Sequence, residues 1–460
     1  MINMDDITNY IRSNQSKTLL RLERFCQIPS ISTLSEHDED INHAASWIAD
    51  FMEDIGMKSV SCMPTDGHPI VYGEKIEADD LCTVLIYGHY DVQPVDPIDE
   101  WKSDPFIPEI RGDHLYSRGV SDMKGQIISV LAALESYNQE VGKLPVNVKV
   151  IVEGEEEIGS PNLEKFVKEN SELLDCDFCM NADSGIGDID IPGIVYGLRG
   201  LAYYELWVYG PEVDLHSGMF GGAIHNPAIV LCQLIANMQD DNGVIQVPGC
   251  YDDVEDVTLD ERFVMNQLPY DDIQISSSAG NPPELFGEHG YSAIEHISVR
   301  PSLDVNGIYS GFVGSGSKTV IPAKAMAKLS LRLVPNQDPS SITAGLERYL
   351  KENAPTTVKY ELKELAHANP VVVNRNSVAV QGAFDAIKSV YGVEPVFMRM
   401  GGTVPVVSMI SEILSTDTVM LGFALNDDGI HGPNERLHIN NFYRGIEAFA
   451  HFFYNLSIKY

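Results

Sequence analysis

Basic residues are scarce in this chain: 31 lysines and arginines stand against 67 aspartates and glutamates, a formal net charge of −36 over 460 residues. Nucleic-acid binding draws on clustered cations that displace counterions from phosphates, and no basic patch is present, so no nucleic-acid partner is expected. Long apolar runs are missing too. None approaches the ~20 residues needed to span a bilayer. The segment from Met1 to Ser16 is polar and carries Asp5, Asp6 and Arg12, so neither a secretory signal nor a membrane partner is expected, and cytoplasmic residence is the default. Cysteine is sparse, and its seven copies are odd in number and scattered, which reads as reduced thiols rather than a disulfide framework. Cys176-x-x-Cys179 lacks a second pair and lies in an apolar stretch, so it reads as structural. No internal repeat or low-complexity tract stands out. Ser276 to Pro283 reads as a Ser/Gly/Pro-rich loop, Asp252 to Glu261 as an acidic one.

A chain of this length is long for one core and predicts two domains. Residues 1 to about 197 alternate helical patterns (Ile41 to Met52; Gln126 to Tyr137) with apolar strands, the pattern of an α/β sheet with helices on both faces. From Leu201 the pattern changes to alternating strands (Ala202 to Tyr209; Ala325 to Leu333) and one well-capped helix. That helix opens at Asn226-Pro227, with Ile229, Val230, Leu234 and Ile235 expected in its core. The chain then returns to the first pattern, with helices from Ser377 to Tyr391 and from Asn441 to Asn455.

The chemistry concentrates where apolar runs end. Gly88-His89-Tyr90-Asp91-Val92-Gln93-Pro94 follows the run Leu81 to Tyr87. His89 and Asp91, two residues apart, share one strand face. Asp91 can hold one imidazole nitrogen while the other binds a metal, although a satisfied loop pair reads the same way. Asp122, in Gly119-Val120-Ser121-Asp122-Met123-Lys124-Gly125, lies in a strand-to-helix turn. The buried strand Val146 to Val152 runs into Glu153-Gly154-Glu155-Glu156-Glu157-Ile158-Gly159-Ser160, whose four glutamates repel one another unless a cation or water compensates them. Asn181-Ala182-Asp183-Ser184-Gly185 and Asp428-Gly429-Ile430-His431-Gly432-Pro433-Asn434-Glu435 follow the apolar runs Phe178 to Met180 and Val419 to Phe423. A histidine, aspartate and glutamate set without thiolate suits zinc, manganese or cobalt in a catalytic site. Five ligands exceed one tetrahedral ion and fit two ions sharing a bridging carboxylate.

With these segments in view, the chain resembles the dizinc exopeptidase family of carnosine dipeptidase, cytosolic non-specific dipeptidase, bacterial glutamate carboxypeptidase, succinyl-diaminopimelate desuccinylase and acetylornithine deacetylase. The resemblance runs from about Leu20 to Tyr460 and is greatest for the dipeptidase branch. It is carried by Gly88 to Pro94 with its tyrosine, Asp214-Leu215-His216-Ser217-Gly218, Lys318-Thr319-Val320-Ile321-Pro322, Arg332-Leu333-Val334-Pro335 and Gly401-Gly402-Thr403-Val404-Pro405.

The resemblance implies two divalent ions per subunit, zinc first, with manganese or cobalt as alternatives. His89 and Asp183 would hold one ion, Glu157 and His431 the other, and Asp122 would bridge them. Glu156, before the ligand Glu157, becomes the general base, and Asp91 the support for His89. Glu155 is a departure, an extra charge expected to raise the proton affinity of Glu156. Arg332 would pair with the substrate's C-terminal carboxylate. Thr319, His367, Gly402 and Thr403 would line the same pocket. His216 would cross from a neighbouring subunit to polarise the scissile carbonyl, which requires a homodimer. The implied fold is a mixed-sheet α/β catalytic domain (1–197 and 366–460) with an inserted smaller α+β lid and dimerisation domain (198–365).

The implied activity is hydrolysis of dipeptides with a free C-terminal carboxylate, the partner being a small peptide substrate. The nearest rival is an N-acyl amino acid deacylase of the same family, with the same ions and base but a different second-domain pocket. Tyr90, Asp214 to Gly218 and the loop-rich insertion Asp240 to Pro301 favour the dipeptidase. A non-catalytic relative would have lost ligands, and none is lost here.

Overall fold

A computed structural model describes residues 2–268 and 270–460. The chain divides into two compact units, one of Met1–Tyr196, Val373–Met398 and Met409–Tyr460, the other of Gly197–Val372 and Arg399–Ser408. The sequence-based boundary after residue 365 falls inside the strand Lys359–Ala368, whose pairing continues to the end.

The first unit is α/β. Its sheet runs in the order Lys58–Met63, Ile70–Lys75, Asn147–Glu153, Thr83–His89, Phe178–Asn181, Asp417–Met420. The last four strands are mutually parallel, and the first two pair antiparallel at the other edge. Parallel strands covered by helices read as unbroken apolar runs, and Val84 to His89 is buried without interruption. Gly88 has a reason to be glycine: a Cβ there would sit 2.2 Å from Ile127 Cδ1 and 2.8 Å from Met123 Cε.

Ile127 belongs to the helix Gly125–Glu140, buried from Gly125 to Tyr137. A helix buried on every side belongs in a core, and this one carries a charge with it. Glu135 is met by Lys17 Nζ at 2.9 Å and by the Arg21 guanidinium, both from the helix Gln15–Cys26. No helix among the described residues is long and apolar enough to cross a membrane, and all seven cysteines are free.

The second unit is α+β. Its antiparallel sheet has the order Ser302–Ser310, Lys324–Leu333, Gly200–Tyr209, Lys359–Ala368. Gly200–Tyr209 alternates buried and half-exposed residues throughout, the signature of a sheet covered on one face. Ala202, Tyr204, Leu206 and Val208 on the covered face share a core with Val230, Leu231 and Leu234 of one helix and Ile342, Leu346 and Leu350 of another.

Three expectations need correction here. Ile229 is 53% exposed, because the core face of Pro227–Ala236 runs through Val230, Leu231 and Leu234. The capped helix has a companion, Pro339–Asn353, opened by Asp338 and proline in the same way as Asn226-Pro227. The supposed loops at 252–261 and 276–283 overlap the short helices Leu259–Met265 and Asp272–Ser278, each begun by a reciprocal capping box, Thr258 with Glu261 and Asp271 with Gln274.

The Glu135 cluster yields a test. Burial would raise this carboxyl, but hydrogen bonds from Arg21 and Lys17 outweigh burial and hold it below the usual glutamate range. A depressed folded-state pKa stabilises above the ordinary glutamate pKa, and that stabilisation is lost as pH falls through the folded value. Glu135→Gln should therefore cost about 2 kcal/mol at pH 7. Urea unfolding midpoints of variant and wild type should converge in acid.

Candidate metal centre

Parallel pairing in register brings several strand ends to one edge of the first sheet. His89 lies opposite Glu153, Tyr87 opposite Asn181, and Met420 opposite Asn181. Open α/β sheets place their ligands beyond such carboxyl ends. His89 is the last residue of its strand, Glu156 and Glu157 lie in the turn after Glu153, Asp183 two residues past Asn181, and His431 in the loop between the short strands Ala424–Leu425 and Arg436–His438 that follow Asp417–Met420. Asp122 comes from the irregular turn Val120–Lys124, where its extended backbone (φ −115°, ψ 98°) interrupts the entry to the helix Gly125–Glu140.

Two donor sets result. In the first, His89 Nε2 is 3.1 Å from Asp122 Oδ1 and 4.0 Å from Asp183 Oδ2. In the second, His431 Nε2 is 3.0 Å from Asp122 Oδ2 and 3.2 Å from Glu157 Oε2. In each trio the donor atoms lie within 4.8 Å of one another, and Asp122 belongs to both.

The surrounding groups fix these side chains. His89 Nδ1 lies 3.1 Å from the Asp91 carbonyl and 3.4 Å from Asp91 Oδ1, which turns Nε2 towards the carboxylates. Asp91 does more than its spacing suggested. Its Oδ1 accepts from the Glu156 amide at 3.2 Å and its Oδ2 from the Glu157 amide at 3.1 Å, so one buried carboxylate holds a histidine and the glutamate turn together. Gln93 Nε2 donates to Glu157 Oε2 at 2.8 Å, a contact that nothing in the spacing revealed.

The glutamate run divides its work. Glu153 turns back into the sheet and accepts from Tyr87 at 2.6 Å and Ser160 at 2.8 Å. Glu155 turns the other way, accepting from the His68 amide at 3.1 Å and from Asn162 at 2.8 Å. Glu156 is raised above the usual carboxylate range, first by its own burial and then, against the opposing pull of His89, by Asp183, Glu157 and Asp122; Glu155, turned away, is not among these leading causes.

The same excess of buried negative charge marks the other members. Asp183 is raised by burial first and then by Asp122 and Glu157. Burial would lower His89, but hydrogen bonds with Asp122 and Asp91 raise it well above the imidazole range. His431 is raised to about 10 by its hydrogen bonds to Asp122 and Glu157. A cluster of carboxylates this close together and only partly open to water is compensated by protons or by cations. The donor chemistry fits a cation: one imidazole and two carboxylates per trio, with no sulfur, suit divalent zinc, manganese or cobalt.

The remaining sequence-predicted residues lie in the second unit. Arg332, opposite Leu201 and Ser302, donates from Nη1 to Thr403 Oγ1 at 2.7 Å, and Thr403 donates to the Gly200 carbonyl at 3.1 Å. Gly402 beside it faces open space. His367 lies two strands from Arg332, exposed, with Nδ1 2.6 Å from Glu364. His216 and Thr319 adjoin through the pair His216–Val320 and the bond from the Ser217 amide to the Thr319 carbonyl at 3.1 Å. His216 is exposed, and its Nδ1 accepts from the Gly218 amide at 3.0 Å. Sequence reasoning passed over Arg199, whose Nε donates to the Gly401 carbonyl at 3.1 Å. Burial first, then Arg332, lowers this guanidinium to about 10.

Residues 85–455 match Peptidase family M20/M25/M40. The chain belongs to this family. It is 31% identical to the Cys-Gly metallodipeptidase dug1 of Schizosaccharomyces pombe, over 99% of this chain and 99% of that protein. It is 30% identical to the Beta-Ala-His dipeptidase of Homo sapiens, over 99% of this chain and 93% of that protein. Among solved structures, the M20 family metallo-carboxypeptidase Sso-CP2 from Sulfolobus solfataricus aligns with a TM-score of 0.84 at 35% identity, covering 96% of this chain and 99% of that one. The dipeptidase-branch resemblance carried by the motifs agrees with these matches.

Within the M20 chain, the tyrosine between His89 and Asp91 has a packing role. Tyr90 donates to the Pro69 carbonyl at 2.6 Å, and its ring covers Gly154, where a Cβ would meet Tyr90 Cζ at 2.4 Å. An aromatic ring held at both ends cannot yield as a flexible chain would. Gly154→Ala should therefore cost about 1–3 kcal/mol through overpacking. The penalty should shrink when Tyr90→Ala removes the ring, a coupling that a double-mutant cycle of thermal midpoints would measure. Additive penalties would show that the contact is not the cause.

Proposed function

We propose that this chain hydrolyses the peptide bond of dipeptides that carry a free C-terminal carboxylate. The observation that carries the reading is Asp122, whose two oxygens face different imidazoles and so serve two donor sets at once. His89, Asp122 and Asp183 would hold one divalent cation, and Asp122, Glu157 and His431 the other, zinc first with manganese or cobalt as alternatives. Bound there, the cations would polarise the scissile carbonyl and lower the pKa of water towards neutrality.

The chain's own residues do the rest. Glu156 takes a proton from the attacking water on a carboxylate oxygen and passes it to the leaving amine. Asp91, through the two amide bonds described, keeps Glu156 and Glu157 at fixed spacing. Arg332 pairs with the substrate carboxylate through its planar fork, with Thr319, His367, Gly402 and Thr403 around it. His216 serves a second copy of the chain, where its Nε2 stabilises the developing oxyanion. On this reading 1–197 and 366–460 form the catalytic domain, 198–365 is the lid and dimerisation domain, and the working form is a homodimer.

The 35% identity to a metallo-carboxypeptidase favours a second reading, removal of C-terminal residues from longer peptides. Both readings require the carboxylate contact. A panel of dipeptides, tripeptides, C-terminally amidated dipeptides and N-acyl amino acids, assayed with zinc, manganese or cobalt, separates them. Turnover confined to N-acyl amino acids would replace either by a deacylase.

Glu156→Gln should keep its metal content by elemental analysis and lose ~10²–10⁴-fold in kcat, whereas Glu157→Gln should lose metal. Reversed results would exchange the two roles. Arg332→Ala should raise KM for free dipeptides about 10–100-fold, the worth of a charge-assisted contact, and leave amidated dipeptides nearly unaffected. Equal losses on both substrates would remove Arg332 from carboxylate recognition.

A further inference from the structure

Behind the two donor sets lies a buried ion pair that this mechanism does not use. Glu435 and Arg118 are each 1% exposed, and Arg118 Nη1 donates to Glu435 Oε2 at 2.8 Å. The same oxygen accepts from the Gly119 amide at 2.9 Å. Oε1 accepts from the Ser121 amide at 3.0 Å and the Asp122 amide at 3.1 Å. One carboxylate thus satisfies three backbone donors, those of Gly119, Ser121 and Asp122, at the turn that carries Asp122, the kind of group that a helix entrance otherwise leaves unsatisfied.

Arg118 extends the reach. Its Nη2 donates to the His431 carbonyl at 3.2 Å and to the Pro94 carbonyl at 3.0 Å. The pair therefore ties together the Asp122 turn, the His431 loop and the end of the segment that begins with His89. Burying an ion pair is a poor way to gain stability, since apolar residues of the same volume do as well or better. Its distinctive product is geometry, because four hydrogen bonds with fixed directions converge on the Glu435 carboxylate from Arg118 and the turn that follows it, and Arg118 carries the tie on to two further segments.

We propose that Glu435, through Arg118, is the positioning residue that sets the backbones of Asp122 and His431 before any cation arrives. Both donor sets then depend on one carboxylate that touches neither cation. The inference rests on the ligand reading above. It adds that the geometry is built by the protein rather than imposed by the metal.

The test uses the full chain stripped of metal and titrated with Co²⁺ against a competing chelator, with visible absorption reporting coordination. Glu435→Gln keeps the size of the side chain but presents an amide N–H₂ to donors on one side. It should bind Co²⁺ about 10–100-fold more weakly, with altered d–d bands, while the far-ultraviolet spectrum of the metal-free chain is unchanged. Arg118→Lys, which cannot span Glu435 and His431 together, should act in the same direction. Wild-type affinity and spectrum in folded Glu435→Gln would overturn the positioning role and leave the ligand reading intact. A wild-type chain that takes up no Co²⁺ would remove both. If neither variant folds, amide exchange in the wild type decides: the Gly119, Ser121 and Asp122 amides should be as protected without metal as with Co²⁺. Protection that appears only with Co²⁺ would overturn the proposal.

Discussion

Negative charge held away from water is the constraint on which the first unit depends. Asp91, Glu135, Glu153, Glu155 and Glu435 are all buried, and each is answered by donors of the protein itself. The answers differ in kind: guanidinium and ammonium for Glu135, hydroxyls for Glu153, an amide and a side-chain amide for Glu155, backbone amides for Asp91. Isolated buried carboxylates would cost several kcal/mol each or take up protons. Where the protein's own answer stops, at Asp122, Glu156, Glu157 and Asp183, the proton affinities of the histidines and of Glu156 and Asp183 rise together. Burial also raises Glu153 and Glu435, so the site is marked less by raised proton affinity than by the convergence of two imidazoles and three carboxylates into two donor sets that share Asp122.

This distinction explains what was legible in the sequence. Apolar runs ending in His89, in the glutamate run, in Asp183 and in His431 were visible because parallel strands buried on both faces leave nothing polar inside them and deliver polarity at their ends. Asp122 was visible from the switch between strand and helix patterns. Apart from Asp91 beside His89, the partners of these groups were not visible. Glu155 and Glu156 are adjacent in sequence, yet one side chain runs to His68 and Asn162 and the other to the donor sets. Nothing in a run of like residues says which way each will turn. Nor does the spacing of Arg118 and Glu435, 317 positions apart, announce an ion pair.

In the second unit the legibility was of a different sort. Alternation in Ala202 to Tyr209 gave the strand and its covered face, because a one-sided sheet imposes period two. The short helices between 259 and 298 escaped notice because none is long enough to show a helical apolar period. Their capping boxes were the readable signal: Thr258 with Glu261 and Asp271 with Gln274 mark helix starts without any amphipathic stripe. Asp338-Pro339 was equally readable, since Asn226-Pro227 had already supplied the same pattern.

The arrangement also separates what must be constant from what can vary. The groups assigned to the cations and the base Glu156 project from the first unit, where Asp91 ties the backbone of Glu156 and Glu157 and Glu435 that of Asp122. The groups assigned to the carboxylate and its surroundings, Arg332, Thr403 and Gly402, lie in the second, where Arg199 anchors the Gly401 carbonyl. A side chain exchanged at the second unit's strand ends leaves the donor sets untouched, whereas a shift of Asp122 disturbs both at once. Dipeptidases and a carboxypeptidase at about one-third identity to this chain are what such a division permits: specificity can drift along one sheet's rim while the carboxylate geometry on the other has almost no freedom to move.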